Sequence, residues 1–292
     1  MTVLLLLLSM LAWLINAAIG NRYGKIMQGS ILGIMLYNIF CLLTASSLLL
    51  VLMRPYFWPS PYTLLLGVLF GVITVSNQMS ILFAFSCGPM SLTMLIGSCA
   101  MVIPTFSGMF FWGESIGRLQ LIGLALMVAV LFLCIYPGTN SPQKKMNGHW
   151  LALCLIVFIT SGTIGIVQKT HQLSVYKNEL NAFLVTAFLT GAILLTVIWI
   201  PLQRSKKSRS ITPIDSTLFV MAGLTELATG GMNKINMYLS GVLPSILFFP
   251  VYNGGCVLLS AIVAVLVFKE KITKRQGCGL VMGVVAIAFL GN

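Results

Sequence analysis

Residues 114–128 read ESIGRLQLIGLALMV, and residues 270–284 read EKITKRQGCGLVMGV. At an offset of 156, Glu114, Ile116, Gln120, Gly123, Leu124 and Val128 fall on Glu270, Ile272, Gln276, Gly279, Leu280 and Val284. The same offset lays Gly67 on Gly223 and Asn77 on Asn233, so the match runs over about sixty residues and marks an internal duplication. Each copy reads as five apolar spans. An odd number of crossings turns the second copy over relative to the first and gives an inverted-topology repeat, the framework most often used for alternating access.

Composition sends the chain to lipid. Its mean hydropathy is +1.01. It is 58% hydrophobic and 8% charged, whereas a soluble domain carries about 25% charged residues. A hydrocarbon core of about 30 Å takes roughly 20 apolar residues per helix, so 292 residues hold about ten short-looped spans and little else. The spans read from the sequence are 3–20, 30–53, 62–83, 90–110, 119–136, 149–168, 181–201, 214–238, 243–266 and 273–291. They are long and Leu-rich without the alternation of barrel strands, so the expected fold is an all-α polytopic membrane protein of ten helices. The two five-helix units are 1–137 and 149–292, joined by a wet linker, 138–148, that carries Gly138, Pro142, Lys144 and Lys145. Leu4 to Leu8 followed by Asn16-Ala17-Ala18 has the outline of a signal peptide, but no basic residue precedes it, and the first span is the better reading.

The formal charge of +12 sits mostly in short loops, such as Arg204 to Arg209 and Lys269 to Arg275. Loops of this kind orient helices and meet anionic lipid. No platform of interleaved aromatic and basic residues accompanies them, which argues against a nucleic-acid partner. Assigned to alternate sides, the basic residues divide twelve against five, with Arg54, Arg118, Lys169, Lys177 and Lys234 in the minority, and this places the N-terminus outside. The seven cysteines have neither metal spacing nor a paired framework and read as packing residues. No HExxH, Walker A or Ser-His-Asp set is present, so an enzyme is not expected, and neither is a cofactor or metal.

Of the five acids, four have structural readings. Glu114 stands four residues before Arg118 and Glu270 four before Lys274, each pair able to bridge along the start of a helix and act as an interfacial anchor. Glu179 and Asp215 fall at helix starts, where an acid is favoured. Glu226 differs, because it lies about twelve residues into a span and its repeat counterpart is Phe70. An ionisable group at membrane depth costs about 2.5–3.5 kcal/mol by insertion scales and should face a wet cavity or a cation. Helical spacing puts Gly230, Asn233 and Met237 on the face of Glu226, with Lys234 to one side.

Trp13 with Asn16, Asn77 with Gln78, and Tyr252 with Asn253 complete the candidate substrate-binding set. The pair Asn77 and Asn233 has added weight because it recurs in both copies. His149 and His171 lie near span ends, and a proton relay through His171 is the less favoured reading of that residue. Pro104, Pro244 and Pro250 can open backbone carbonyls within or near spans four and nine. Gly67-xxx-Gly71 and Gly279-xxx-Gly283 permit close helix contact, either within the chain or across a homodimer.

Asn77 through Ala84, Pro104, Gly113-Glu114 and Gln120-Leu121-Ile122-Gly123 resemble the recurring pattern of the drug/metabolite transporter superfamily, in its EamA-like branch. The resemblance covers essentially the whole chain. Asn233, Glu270, Gln276 and Gly279 repeat part of the pattern, with Ser260 in place of Pro104 and Lys269 in place of Gly113. It implies ten helices as two inverted units, a central cavity, secondary transport of small metabolites or toxic compounds across the cell membrane, and cytoplasmic termini, which is opposite to the charge division and leaves the orientation open. The rival reading is a non-transporting receptor or assembly subunit, and a facilitative channel is a third.

Overall fold

The computed structural model of the protein describes residues 1–26, 30–52, 58–88, 90–135, 148–205, 216–266 and 274–291, with the side chains of some helical residues, Glu226 among them, outside that description. Among the described residues there is no strand. The helices are α1 (Thr2–Ile26), α2 (Ile31–Leu52), α3 (Pro61–Cys87), α4 (Met90–Cys99), α5 (Val102–Trp112), α6 (Arg118–Ile135), α7 (Gly148–Gln172), α8 (Leu180–Ser205), α9 (Ser216–Val242), α10 (Ser245–Leu266) and α11 (Lys274–Leu290), with a 3-10 turn at Lys177–Glu179. Among the described residues, helix occurs within each interval read from the sequence, the fourth being split in two. Five stretches among the described residues, Ile31–Val51, Pro61–Phe85, Leu92–Trp112, Gly148–Gln172 and Lys177–Arg204, are long and apolar enough to cross a membrane. Outward-facing Leu65, Leu155, Ile193 and Val197 are 59–67% exposed. Helices that are apolar on their outer faces as well as their inner ones suit hydrocarbon.

Helix ends follow from local chemistry. Ser60 caps α3, its Oγ accepting the Thr63 N–H at 3.2 Å, and Pro61 takes the first helical position, where a missing N–H costs nothing. Gln120, part of the repeated motif, accepts the Gly117 N–H at 3.0 Å and so caps α6 from its third residue. Gly113 has φ of 64° and ends α5, letting the Glu114 N–H return to the Gly108 carbonyl at 3.0 Å. The fourth span is broken into α4 and α5 because Pro104 gives Ala100 no N–H partner and its ring crowds that carbonyl. The chain tightens there, with Ala100 and Met101 N–H groups donating to Gly97 and Ser98 carbonyls, both at 3.3 Å.

Packing divides the chain into two compact units, Met1–Val75 with Thr170–Tyr238 and Ser76–Lys169 with Leu239–Asn292. Each unit draws helices from both the N-terminal and the C-terminal half of the chain. In the first unit α2 packs along α8, and the Trp199 indole N–H donates to the Leu32 carbonyl at 3.1 Å. The backbone of α3 comes close to α8 at Gly67 and Gly71, where an added Cβ would stand 2.9 Å from Thr186 Cβ and Thr190 Cβ. Phe70 meets Phe183 edge-on, with centroids 5.3 Å apart.

In the second unit α6 packs along α11 and α10 lies against α5, α6 and α11. Gly123 allows the first of these contacts, since a Cβ there would lie 3.0 Å from the Ala286 carbonyl oxygen and the Leu290 nitrogen. A Cβ at Gly283 would meet Leu258 at 2.6 Å, so this glycine of the last helix packs within the chain. The Trp150 indole N–H donates to Thr93 Oγ1 at 3.0 Å and ties α7 to α4.

Candidate functional site

The polar residues singled out from the sequence divide between the two units. In the first, α9 presents Thr225, Thr229, Asn233 and Asn236, which recur at helical spacing on one stripe. Thr225 Oγ1 bonds the Tyr37 hydroxyl on α2. Thr229 Oγ1 accepts from the Asn16 amide on α1 and donates to the Thr225 carbonyl at 2.8 Å. Asn236 Oδ1 accepts from Ser9 Oγ, also on α1. Tyr37, Thr225, Ser9 and Asn236 are all buried. Three helices are therefore joined by side-chain hydrogen bonds in an otherwise apolar setting, where an unmade bond is costly.

Asn16 and Asn233 meet on one residue, because the Asn233 amide donates to the Thr229 carbonyl at 3.0 Å. Glu226 follows Thr225 on the same helix, and its side chain lies outside the described residues. Trp13 is half-buried on α1, while Lys234 is exposed and stands off the stripe.

In the second unit the end of α3 carries Asn77 and Gln78. Asn77 Nδ2 donates to Thr160 Oγ1 at 2.9 Å, Ser161 Oγ at 2.8 Å and the Val157 carbonyl at 3.2 Å. Its amide hydrogens fasten α3 to α7. The repeated asparagines thus differ in use, one bonding across helices and the other along its own. Gln78 Oε1 is buried with no hydrogen-bond partner among the described residues. On α10 the Tyr252 ring stacks on Phe248 at 5.9 Å, and the Asn253 amide returns to the Phe249 carbonyl at 2.9 Å.

The anchoring acids have partners that the sequence spacing does not give. Glu114 lies in the non-helical stretch between α5 and α6, so the expected helical bridge to Arg118 is replaced by an ion pair with Lys169 of α7. Arg118 is exposed, as is Lys274, whose expected partner Glu270 lies outside the described residues. Glu114 Oε2 also accepts the Ser245 N–H at 2.7 Å, at the start of α10. Part of the signal was present: Gly113 is a helix-ending residue, which takes Glu114 off the helix, while Lys169, in the last turn of α7, is buried and needs an acid. Glu179 likewise sits on another helix's start, accepting the Ser60 N–H at 2.9 Å and the Ser60 hydroxyl at 2.8 Å. His171 is fully buried, held by Thr63 Oγ1 and the Gln172 amide, each at 3.2 Å.

No family model matches the chain. No curated protein matches it in sequence. The fold is shared all the same. Twenty-eight solved chains match it, among them one crystal structure of a protein that aligns over 98% of both chains with a TM-score of 0.71 and 12% identity. At that identity the likeness is one of fold alone.

Proposed function

We propose that the protein is a multi-pass secondary transporter of the cell membrane, with ten spans in two inverted five-helix repeats like those of EamA-like drug/metabolite transporters. It moves a small metabolite or drug-like solute, such as an amino acid or amine, by alternating access. The observation that carries this reading is the α9 stripe, a run of hydrogen-bonding side chains held among α1, α2 and α9. An acid on the same helix, Glu226, has no counterpart in the first repeat. Polar and ionisable groups in apolar helices mark solute or proton paths.

In this reading Glu226 takes a substrate ammonium or a proton, Asn16 and Asn233 orient the solute from the stripe, and Trp13 supplies a wall that attracts cations. Asn77 serves as a fastener between α3 and α7. With no nucleotide-binding motif in the sequence, uphill movement draws on a proton or solute gradient. The fold likeness is compatible with this reading.

The test is counterflow in liposomes loaded with unlabelled amino acids, amines or cationic drugs, under an imposed pH gradient. Native protein is expected to give saturable uptake of at least one labelled class, and Glu226→Gln to lose it. Native protein that moves none of them would favour the receptor or assembly-subunit reading.

A further inference from the structure

Buried in the second unit is an ion pair that the transport reading leaves unused. Lys169 is 2% exposed and Glu114 18%. The Lys169 ammonium also donates to the Leu243 carbonyl at 3.2 Å and stands 5.3 Å from the centre of the Trp112 ring. Each charge has found the helix end of suitable sign: the carboxylate sits on the first N–H of α10, and the ammonium on a carbonyl just past the end of α9. Gly108 makes room for this, because a Cβ there would lie 3.0 Å from Ser245 Oγ and would press on the Glu114 carboxylate.

Together these contacts tie α5, α7 and the α9–α10 link at one point. Both charges are engaged in the fold: the ammonium by Glu114 and the Leu243 carbonyl, the carboxylate by Lys169 and the Ser245 N–H. Removing one partner would strand the other in a low-dielectric setting, whereas neutralising both would not.

We propose that Glu114 and Lys169 are positioning residues that fix the N-terminal end of α10, and with it the register of Tyr252 and Asn253 two turns further on. The pair stays closed through the cycle and carries neither proton nor solute. That last statement rests on the transport reading, while the positioning itself does not.

Cys256, buried one turn beyond Tyr252, reports on it. In the full chain with its other six cysteines replaced by serine or alanine, the rate of Cys256 labelling by a maleimide is compared in nanodiscs. Lys169→Met is expected to label at least tenfold faster than this background, and Glu114→Gln with Lys169→Met to return within about twofold of it. Lys169→Met labelling at the background rate would overturn the proposal, as would a double variant as reactive as the single one. If Lys169→Met does not accumulate, Glu114→Asp takes its place, keeping both charges but drawing the carboxylate back from Ser245; labelling at the background rate would again overturn it.

A transport failure leaves the labelling result standing, so the two readings fail separately. Where uptake is measurable, the double variant is expected to keep the native pH profile, and a displaced profile would show that the pair carries the coupling proton instead.

Discussion

Asn77→Ala and Asn233→Ala are equivalent changes by the sequence repeat and unequal ones by the structure. Asn77 reaches three acceptors on α7, but its amide has two hydrogens and so makes two of these bonds at once. Interhelical hydrogen bonds in membrane proteins average about 0.6 kcal/mol and reach about 1.7, which puts the loss for Asn77→Ala at about 1–2 kcal/mol. Thr160 suffers little further, since its hydroxyl also donates to the Ile156 carbonyl at 2.6 Å.

Asn233 spends its amide on its own helix, and alanine is the better helix former by about 0.5 kcal/mol, so Asn233→Ala should fall within about 0.5 kcal/mol of native. The assay is reversible equilibrium unfolding in mixed micelles titrated with a denaturing detergent, followed by tryptophan fluorescence and far-UV circular dichroism. A loss for Asn233→Ala as large as that for Asn77→Ala would refute the reasoning, because it would mean that the repeat, and not the observed bonding, sets the energetics.

Gly71→Val drives a branched side chain into the α3–α8 contact and is expected to cost about 1–3 kcal/mol, whereas Gly223→Ala, where a Cβ meets open space, should be neutral or slightly stabilising; parallel thermal melts separate them. Ser60→Ala removes the α3 cap and the hydroxyl bonded to Glu179 and should lower stability by about 1–2 kcal/mol, read from the same unfolding titration. Trp150→Phe keeps the ring in its cluster with Ala84 and Cys154 but leaves Thr93 without its indole donor, for an expected loss of about 1 kcal/mol. A melting curve unchanged from native would contradict the assigned bond.

Much of the architecture is legible in the residues, and the repeated motif shows why. Gln120 caps α6, Gly123 lets α11 approach and Gly113 ends α5, each a local requirement that spacing and residue type express. Pro104 likewise marks the break in the fourth span. What escaped is tertiary. The partner of Glu114 is decided by Gly113 taking it off the helix and by Lys169 arriving on α7, fifty-five residues later. The assembly of compact units from both sequence halves has no local signature, because it depends on which apolar faces meet, and nearly every face here is apolar. The candidate site was legible as a list of polar residues in spans, while their separation into the α9 stripe, the α3–α7 fastener and the α10 face required their bonding partners.

The most direct measurement is ligand-induced thermal stabilisation of the detergent-purified protein against amino acids, amines, nucleosides and cationic drugs, in parallel with Glu226→Gln. A ligand at one hundred times its Kd adds about 2.7 kcal/mol to the folded state, which a melting curve resolves readily. One chemical class is expected to raise the melting temperature of the native chain, and Glu226→Gln to abolish the shift. A shift that survives unchanged in the variant, or none across the whole panel, would contradict that expectation.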